Sequence, residues 1–163
     1  MEVPRTTLCY ISLEDKWLFI HKRRKNDPNK GKYLGIGGHI EPGESVIDCM
    51  VREIYEETGI VASRDLSNLI QYGYVMFHSD KYGDEEMNVF GADFIGDLEN
   101  IRKEFNEDDE GEVLWIPKTD AYNLPIWEGD KLIFDHLIAK KAFNMGLWYE
   151  GEKLVKCESK NLY

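Results

Sequence analysis

The segment from Gly38 to Ile60 places a glycine pair before a helix and crowds carboxylates onto that helix. Glu53, Glu56 and Glu57 stand at positions i, i+3 and i+4, so their side chains project from one face of a single helical turn. Like charges at this spacing repel each other, and folding alone does not require them. The pattern therefore predicts a bound counter-charge, and carboxylate oxygens are the hard ligands that suit Mg²⁺ or Mn²⁺.

The limits of this helix follow from its flanking residues. Ser45 is a suitable N-cap, with Asp48 three residues later as an acidic capping partner. The helix is expected to run to about Thr58 and to stop at Gly59, a residue typical of helix C-termini. Its apolar stripe, which is expected to face the core, consists of Ile47, Met50, Val51 and Ile54.

The whole segment resembles the Nudix box, Gly-x5-Glu-x7-Arg-Glu-U-x-Glu-Glu-x-Gly-U, in which U is a bulky aliphatic residue. A solvated acidic helix face is the simpler interpretation, but it explains neither the glycine pair nor Arg52. The resemblance implies one Nudix hydrolase domain over residues 1–163, with the box at 38–60. It also implies an α+β fold, the Nudix fold, in which helices sandwich a mixed β-sheet. The fixed positions of the box are filled by Gly38, Glu44, Arg52, Glu53, Ile54, Glu56, Glu57, Gly59 and Ile60.

The resemblance further implies a set of catalytic groups around Mg²⁺, with Mn²⁺ as a possible substitute. Glu44 would be an outer carboxylate, and Arg52 would orient the glutamates by charge-assisted hydrogen bonds. Glu53 is the first candidate for the general base, and Glu110, in an acidic loop before a late strand, is the second. The expected metal ligands are Gly37, Gly38, Glu53, Glu56 and Glu57.

Beyond the box, the run from Leu124 to Asp130 resembles MutT-type 8-oxo-dGTP diphosphatases. In that family a tryptophan at the position of Trp127 stacks on the purine, and an acidic residue at the position of Asp130 reads the base edge. Without the resemblance, Trp127 could be an ordinary interface residue and Asp130 a charge that favours the helix dipole. Leu34 and Gly129 depart from the mammalian member of the family, which has polar residues there.

These features predict an Mg²⁺-dependent nucleoside triphosphate pyrophosphohydrolase that acts on a small nucleotide. Oxidised purine nucleotides such as 8-oxo-dGTP are the expected substrates, which would place the enzyme in nucleotide sanitation and DNA repair. Two alternatives stay open. The substrate could be ADP-ribose, a dinucleoside polyphosphate or an unmodified nucleotide, or the domain could sense a nucleotide without cleaving it.

Basic residues cluster shortly before the glycine pair. They form either a solvated loop or a set of contacts to the triphosphate. The expected phosphate contacts among them are His21, Lys22 and Arg23.

The 163 residues carry a formal net charge of −11. The field of the protein therefore repels polyanions, and a nucleic-acid polymer is not an expected partner. A small polyphosphate can still bind if metal ions bridge its oxygens to the carboxylates. The sequence leaves the oligomeric state open between monomer and dimer.

Neither a membrane nor an export route is indicated. No apolar run approaches the roughly 20 residues needed to span a bilayer. The start, Met-Glu-Val-Pro-Arg, lacks the basic-then-apolar layout of a signal peptide. Cys9, Cys49 and Cys157 form no CxxC pair, which predicts reduced, buried thiols in a cytoplasmic protein.

The remaining sequence alternates apolar runs with polar loops. A second amphipathic helix is expected from Gly129 or Asp130 towards Ala142, and a last hairpin is expected around Glu150-Gly151-Glu152. The other expected strands are 6–12, 16–21, 33–40, 69–78, 87–95 and 112–116.

Overall fold

A mixed β-sheet runs through the centre of the protein. The computed structural model describes residues 2–103 and 111–160. The strands are β1 (Arg5–Leu13), β2 (Lys16–Lys22), β3 (Tyr33–Leu34), β4 (Ile36–His39), β5 (Leu66–Ser79), β6 (Glu85–Phe94), β7 (Gly111–Pro117), β8 (Phe143–Glu150) and β9 (Lys153–Ser159). The helices are α1 (Val46–Thr58), α2 (Ala62–Asp65), α3 (Lys118–Ala121) and α4 (Asp130–Ala139).

The strand order is β3–β2–β1–β6–β5–β8–β9, with β4 paired to β1 and β7 paired to β2. The pairs β1–β6 and β5–β8 are parallel, and the other described pairs are antiparallel. Because β4 lies on one side of β1 and β6 on the other, the sheet brings the glycine-rich strand close to the start of β6.

Helices cover both faces of this sheet. Alternate residues of β1 point to opposite sides, as the two-residue period of a strand requires. Tyr10 packs edge-on against Phe134 of α4, with ring centroids 5.3 Å apart. Ile11 belongs to the cluster on the other face, which contains Met50 and Ile54 of α1. The expected α+β sandwich is confirmed.

Helix α1 begins and ends where the sequence predicts. The Ser45 hydroxyl accepts a hydrogen bond of 3.1 Å from the backbone N–H of Asp48. Gly59 ends the helix with φ = 79°, in the left-handed region that glycine enters without steric cost.

The predicted apolar stripe of α1 is wrong in half of its members. Ile47 and Val51 are 44% and 38% exposed, because the line that packs on β4 and β1 is rotated away from them. The buried line of α1 includes a carboxylate, and the pattern of apolar residues does not predict that a charged residue is buried. The buried residues of α1 are Cys49, Met50, Ile54, Glu57 and Thr58.

Two further expectations need correction. Helix α4 stops at Ala139 rather than continuing to Ala142, because Lys140 adopts a left-handed conformation with φ = 53° and Phe143 already starts β8. Cys157 is exposed on β9, the last strand of the order, so only Cys9 and Cys49 are buried thiols. Among the described residues, no helix is long and apolar enough to cross a membrane.

Candidate active site

A pocket of about 440 Å³ lies between the sheet and the start of α4. One end is lined by backbone and carboxylate groups of β4 and α1, including Gly37, Gly38 and Glu57. The other end is lined by aromatic side chains, including Trp127 and Tyr149. The two ends are called the carboxylate end and the aromatic end below.

The glycine pair of β4 lets backbone and carboxylates approach closely. A Cβ on Gly37 would lie 1.8 Å from the carbonyl oxygen of Thr7. A Cβ on Gly38 would lie 2.4 Å from a carboxylate oxygen of Glu53. Any other residue at either position would displace a neighbour, so both glycines are required by the geometry of the carboxylate end.

Glu57 is a buried carboxylate at this end, with 3% of its surface exposed. Burial raises the pKa of Glu57 well above its usual range, the positive charge of Lys22 opposes the shift, and the adjacent Glu53 adds to it. Two carboxylates in contact away from water need a proton or a cation between them. Together with the backbone of Gly37, this donor set fits a hard divalent cation.

Arg52 binds one carboxylate before the helix and two on it. Its guanidinium donates two hydrogen bonds to Glu44, of 2.7 and 2.9 Å, one of 2.9 Å to Glu53 and one of 3.2 Å to Glu56. A further bond of 3.1 Å reaches the carbonyl oxygen of His39. These contacts lower the pKa of Glu44 to about 2 and raise that of Arg52.

The same contacts explain how the acidic groups are distributed. Among residues 2–103 and 111–160, no three Asp, Glu, His or Cys side chains surround one point as cation ligands do. Glu53 and Glu56 are turned towards Arg52, and Glu56 is exposed. Glu57 alone of the three faces the pocket, through the space that the glycines leave open.

Trp127 is held at the aromatic end by contacts of several kinds. Its indole N–H donates a 2.6 Å hydrogen bond to Oδ1 of Asn29. The ammonium of Lys32 lies 4.8 Å from the centre of the indole, and it also pairs with Glu152. The ring of Tyr149 meets the indole almost perpendicularly, with centroids 5.2 Å apart. The indole is therefore fixed in orientation before any ligand binds.

Asp130 is the second polar group at the aromatic end, and it is 7% exposed. Burial raises its pKa to about 7, although the backbone of Trp127 and the charge of Lys32 act in the opposite direction. The N–H of Gly129 donates a 2.7 Å hydrogen bond to the hydroxyl of Tyr149, which fixes the start of α4. Near neutral pH the Asp130 carboxyl can therefore either donate or accept a hydrogen bond.

The structure brings some of the expected site residues together and places others elsewhere. His21 of β2 stacks on Tyr33 of β3 at 4.2 Å, and Arg23, the residue after β2, contacts Glu112 of β7 at 4.0 Å. Neither lines the pocket, because both side chains contact neighbouring strands. Glu110 lies outside the described residues. The expected residues that line the pocket are Lys22, Leu34, Gly37, Gly38, Glu57, Trp127 and Asp130.

Sequence reasoning missed other polar groups at the pocket. Asn29 and Lys32 belong to the basic loop before β3, but nothing in their spacing indicates a contact with Trp127. Glu85 begins β6 and accepts a 3.0 Å hydrogen bond from the hydroxyl of Thr6. No local pattern marks these residues, because their partners are distant in the chain.

Comparison with protein families gives one match over most of the chain. The model described as NUDIX domain matches residues 3–137. This range contains the glycine pair, helix α1 and the start of α4, so it covers the carboxylate end and includes Trp127 but not Tyr149 of the aromatic end.

Three named proteins are similar in sequence. An uncharacterized Nudix hydrolase of Bacillus subtilis, YvcI, is 32% identical over 83% of this chain and 80% of that protein. An ADP-ribose pyrophosphatase of Methanocaldococcus jannaschii is 36% identical over 77% of this chain and 64% of that protein. An oxidized purine nucleoside triphosphate hydrolase of Danio rerio is 26% identical over 81% of this chain and 79% of that protein.

The fold is also found among solved structures. The crystal structure of a mutator MutT protein from Bacillus halodurans superposes with a TM-score of 0.78 and 25% identity. The superposition covers 96% of this chain and 97% of that chain. The mixed sheet with helices on both faces is thus shared along nearly the full length of both proteins.

Proposed function

Because this chain belongs to the Nudix family of hydrolases, which act on phosphoric anhydrides, we propose that it hydrolyses a nucleoside triphosphate to the monophosphate and pyrophosphate. Its proposed substrates are oxidised purine nucleotides such as 8-oxo-dGTP. The observation that carries this proposal is one pocket that joins the buried carboxylate of Glu57 to the fixed indole of Trp127. A nucleotide presents the matching sequence of groups, with phosphates at one end and a base at the other.

Nudix hydrolases generally use divalent cations, and the carboxylate end has suitable donors. Glu53, Glu56, Glu57 and the carbonyl of Gly37 would hold Mg²⁺. When bound there, Mg²⁺ offsets the charge of phosphoryl oxygens and lowers the pKa of coordinated water.

The protein's own groups position the reactants. Arg52 holds Glu53 and Glu56 by charge-assisted hydrogen bonds, which limits the directions in which their oxygens can point. Lys22 lines the pocket and supplies positive charge near the phosphates. Glu53 is the proposed acceptor of the proton from the attacking water, and Glu110 is the second candidate for this role.

The aromatic end supports recognition of a purine. Stacking of a base on an indole contributes roughly 1–3 kcal/mol. Oxidation at C8 of guanine converts N7 from a hydrogen-bond acceptor into an N–H donor, and Asp130 favours the oxidised form when its carboxylate is ionised and can only accept. The relative from Danio rerio, named an oxidized purine nucleoside triphosphate hydrolase, supports the same substrate class.

Hydrolysis of ADP-ribose is the second candidate function. The relative from Methanocaldococcus jannaschii is named an ADP-ribose pyrophosphatase, and its identity to this chain is 36%. The carboxylate end would act in the same way on either substrate, so the aromatic end must decide between them.

The decisive experiment measures kcat/KM with Mg²⁺ for 8-oxo-dGTP, dGTP, ADP-ribose and diadenosine polyphosphates. Among these compounds we expect 8-oxo-dGTP to be the best substrate, with pyrophosphate as the released product. Preference for ADP-ribose, with AMP and ribose phosphate as products, would overturn the triphosphate proposal while keeping the carboxylate end.

Substitutions at the carboxylate end test the assignment of the metal ligands. We expect Glu57→Gln and Glu53→Gln each to lower kcat by at least about a hundredfold, because each removes a charge that the reaction needs. Asp48→Asn, an exposed change on the same helix, is the matched control. Full turnover in both glutamate variants, with folding verified by circular dichroism, would contradict the assignment.

A further inference from the structure

Glu85 is a pocket carboxylate that the proposed chemistry does not use. It lies at the first position of β6, is partly buried, and lines the pocket beside Met87. The hydroxyl of Thr6 donates a 3.0 Å hydrogen bond to its Oε2. Burial raises the pKa of Glu85, and the hydrogen bond from Thr6 acts in the opposite direction. A carboxylate in this setting gains from further hydrogen-bond donors, which a ligand can bring.

The strand order places Glu85 between the two ends of the pocket. The strands across this region run in the order β4, β1, β6, β5 and β8. Gly37 and Gly38 of the carboxylate end are on β4, and Glu85 is on β6. Directly opposite Glu85 on β5 is Phe77, whose ring meets the indole of Trp127 at 5.8 Å.

The spacing between neighbouring strands gives approximate distances between these residues. Neighbouring strands lie about 4.8 Å apart, so β6 is about 10 Å from β4 and about 5 Å from β5. Along the strands, Asn88 of β6 is level with Gly38 through Thr7, and Glu85 lies about 10 Å further towards the start of β6. In a nucleotide the sugar lies between the phosphates and the base. A ligand with phosphates at Gly38 and its base at Trp127 crosses this interval, and its sugar then passes the wall of the pocket that Glu85 lines.

On this geometry we propose that Glu85 binds the sugar hydroxyls of the nucleotide and makes the enzyme prefer ribose over 2′-deoxyribose. The inference rests on the proposed nucleotide hydrolysis and narrows its substrate class to ribonucleotides, such as the ribose form of an oxidised purine triphosphate. Ribose offers two adjacent hydroxyl donors to a carboxylate, and 2′-deoxyribose offers one.

The other parts of a nucleotide fit Glu85 less well. Phosphates carry negative charge, so the carboxylate of Glu85 repels them. The base edge already faces a carboxyl group at Asp130, which is placed at the indole. Hydroxyl groups are neutral donors, and a carboxylate acceptor suits them.

The test compares ribose and deoxyribose forms of the same nucleotides. It measures kcat/KM for GTP against dGTP, and for 8-oxo-GTP against 8-oxo-dGTP, in the natural protein and in Glu85→Leu and Glu85→Gln. Glu86→Leu is the matched control, because Glu86 is the next residue, does not line the pocket, and pairs instead with Arg5 at 3.7 Å. Glu85→Gln keeps one oxygen acceptor and nearly the same volume, which guards against misfolding of the leucine variant.

We expect the natural protein to favour ribose by roughly ten- to a hundredfold, the range for a hydrogen bond to a charged group. Glu85→Leu should bring this ratio close to one by lowering activity on the ribose form, and Glu85→Gln should give an intermediate ratio. The control should keep the natural ratio. Equal losses on both sugars, or a ratio that Glu85→Leu leaves unchanged, would overturn the inference.

A binding measurement separates this inference from the proposed reaction. Calorimetry with GMP and dGMP in the presence of a chelator requires neither metal nor hydrolysis. If no triphosphate is cleaved, the proposed function fails, and the affinity ratio of the two monophosphates still decides the sugar preference. If GMP and dGMP bind with equal affinity to the natural protein, and also to Glu85→Leu, Glu85 does not select the sugar, whatever the turnover.

Discussion

Trp127 is the single residue with the most contacts of different kinds at the aromatic end. Its N–H is bonded to Asn29, and Lys32 lies over its ring. Trp127→Ala should raise KM for the best nucleotide by about tenfold and lower kcat much less, because stacking serves ground state and transition state alike. Steady-state kinetics measure both constants.

Trp148→Ala is the matched control for that variant. Trp148 stacks on His78 at 4.6 Å and does not line the pocket. Its removal should leave KM unchanged. A KM that is also unchanged in Trp127→Ala would make Trp127 a structural residue.

Asp130 makes the stability of the protein depend on pH. Burial raises its pKa to about 7, so the folded protein holds this proton more tightly than the unfolded chain. The corresponding stability is present in full below the unfolded pKa, near 4, and is lost as the pH rises through about 7. Asp130→Asn does not lose stability in this way, because asparagine does not ionise. The free energy of unfolding of the variant minus that of the natural protein should therefore rise between pH 4 and pH 8, by up to about 4 kcal/mol.

Urea unfolding at several pH values checks this expectation. The sign of the change is the important result, because only a carboxyl group with a raised pKa produces it. A difference between the two proteins that stays constant with pH would contradict the burial of an ionisable group at position 130.

The positions of some residues of the candidate site can be predicted from the sequence, and the positions of others cannot. Glu53, Glu56, Glu57 and Arg52 lie within one helix, and helical spacing alone predicts that they are neighbours. Glu85 meets Thr6 across 79 positions of the chain, and such a contact depends on strand pairing that no local pattern specifies. The carboxylate end was therefore predictable, and the middle of the pocket was not.

Among the elements, α1 depends on a good cap. The Ser45 hydroxyl accepts the N–H of Asp48, which has no partner within the helix. Ser45→Ala should reduce the free energy of unfolding by about 1 kcal/mol, and Ser45→Thr should restore most of it. Thermal unfolding of the three proteins checks this, with a fall of about 2–4 °C expected for the alanine variant. Identical melting temperatures would show that water replaces the cap at no cost.

The boundaries of α1 and most strands follow from caps, glycines and apolar runs in the sequence. The face that α1 buries does not, because Ile47 and Val51 are apolar yet exposed, and Glu57 is charged yet buried. Burial of Glu57 is compatible with a nearby cation or proton, and apolar periodicity contains no information about either. The short helices α2 and α3 were not predicted either, because four residues are too few to show a helical period.

For the molecule as a whole, the net charge of −11 and the carboxylate end predict a stabilising effect of Mg²⁺. A ligand that binds only the folded state stabilises it by about 2.7 kcal/mol at a hundred times its Kd. Thermal unfolding should therefore shift upwards with Mg²⁺ in the natural protein and much less in Glu57→Gln. Sodium chloride at matched ionic strength is the control for screening, and an equal Mg²⁺ shift in both proteins would contradict a site at Glu57.

The pair between Lys32 and Glu152 joins positions 120 residues apart and supports Trp127 between them. During synthesis on the ribosome, the chain up to Ile60 emerges first and includes every group of the Nudix box. At about 5–20 residues per second, Glu152 follows about 5 to 20 s later. Throughout that interval a nascent chain has helix α1 but lacks the carboxylate that pairs with Lys32 beside Trp127. Translation therefore produces the proposed metal ligands before the last residues of the aromatic end, and a message cut short before Leu147 would yield a protein without the full lining of the pocket.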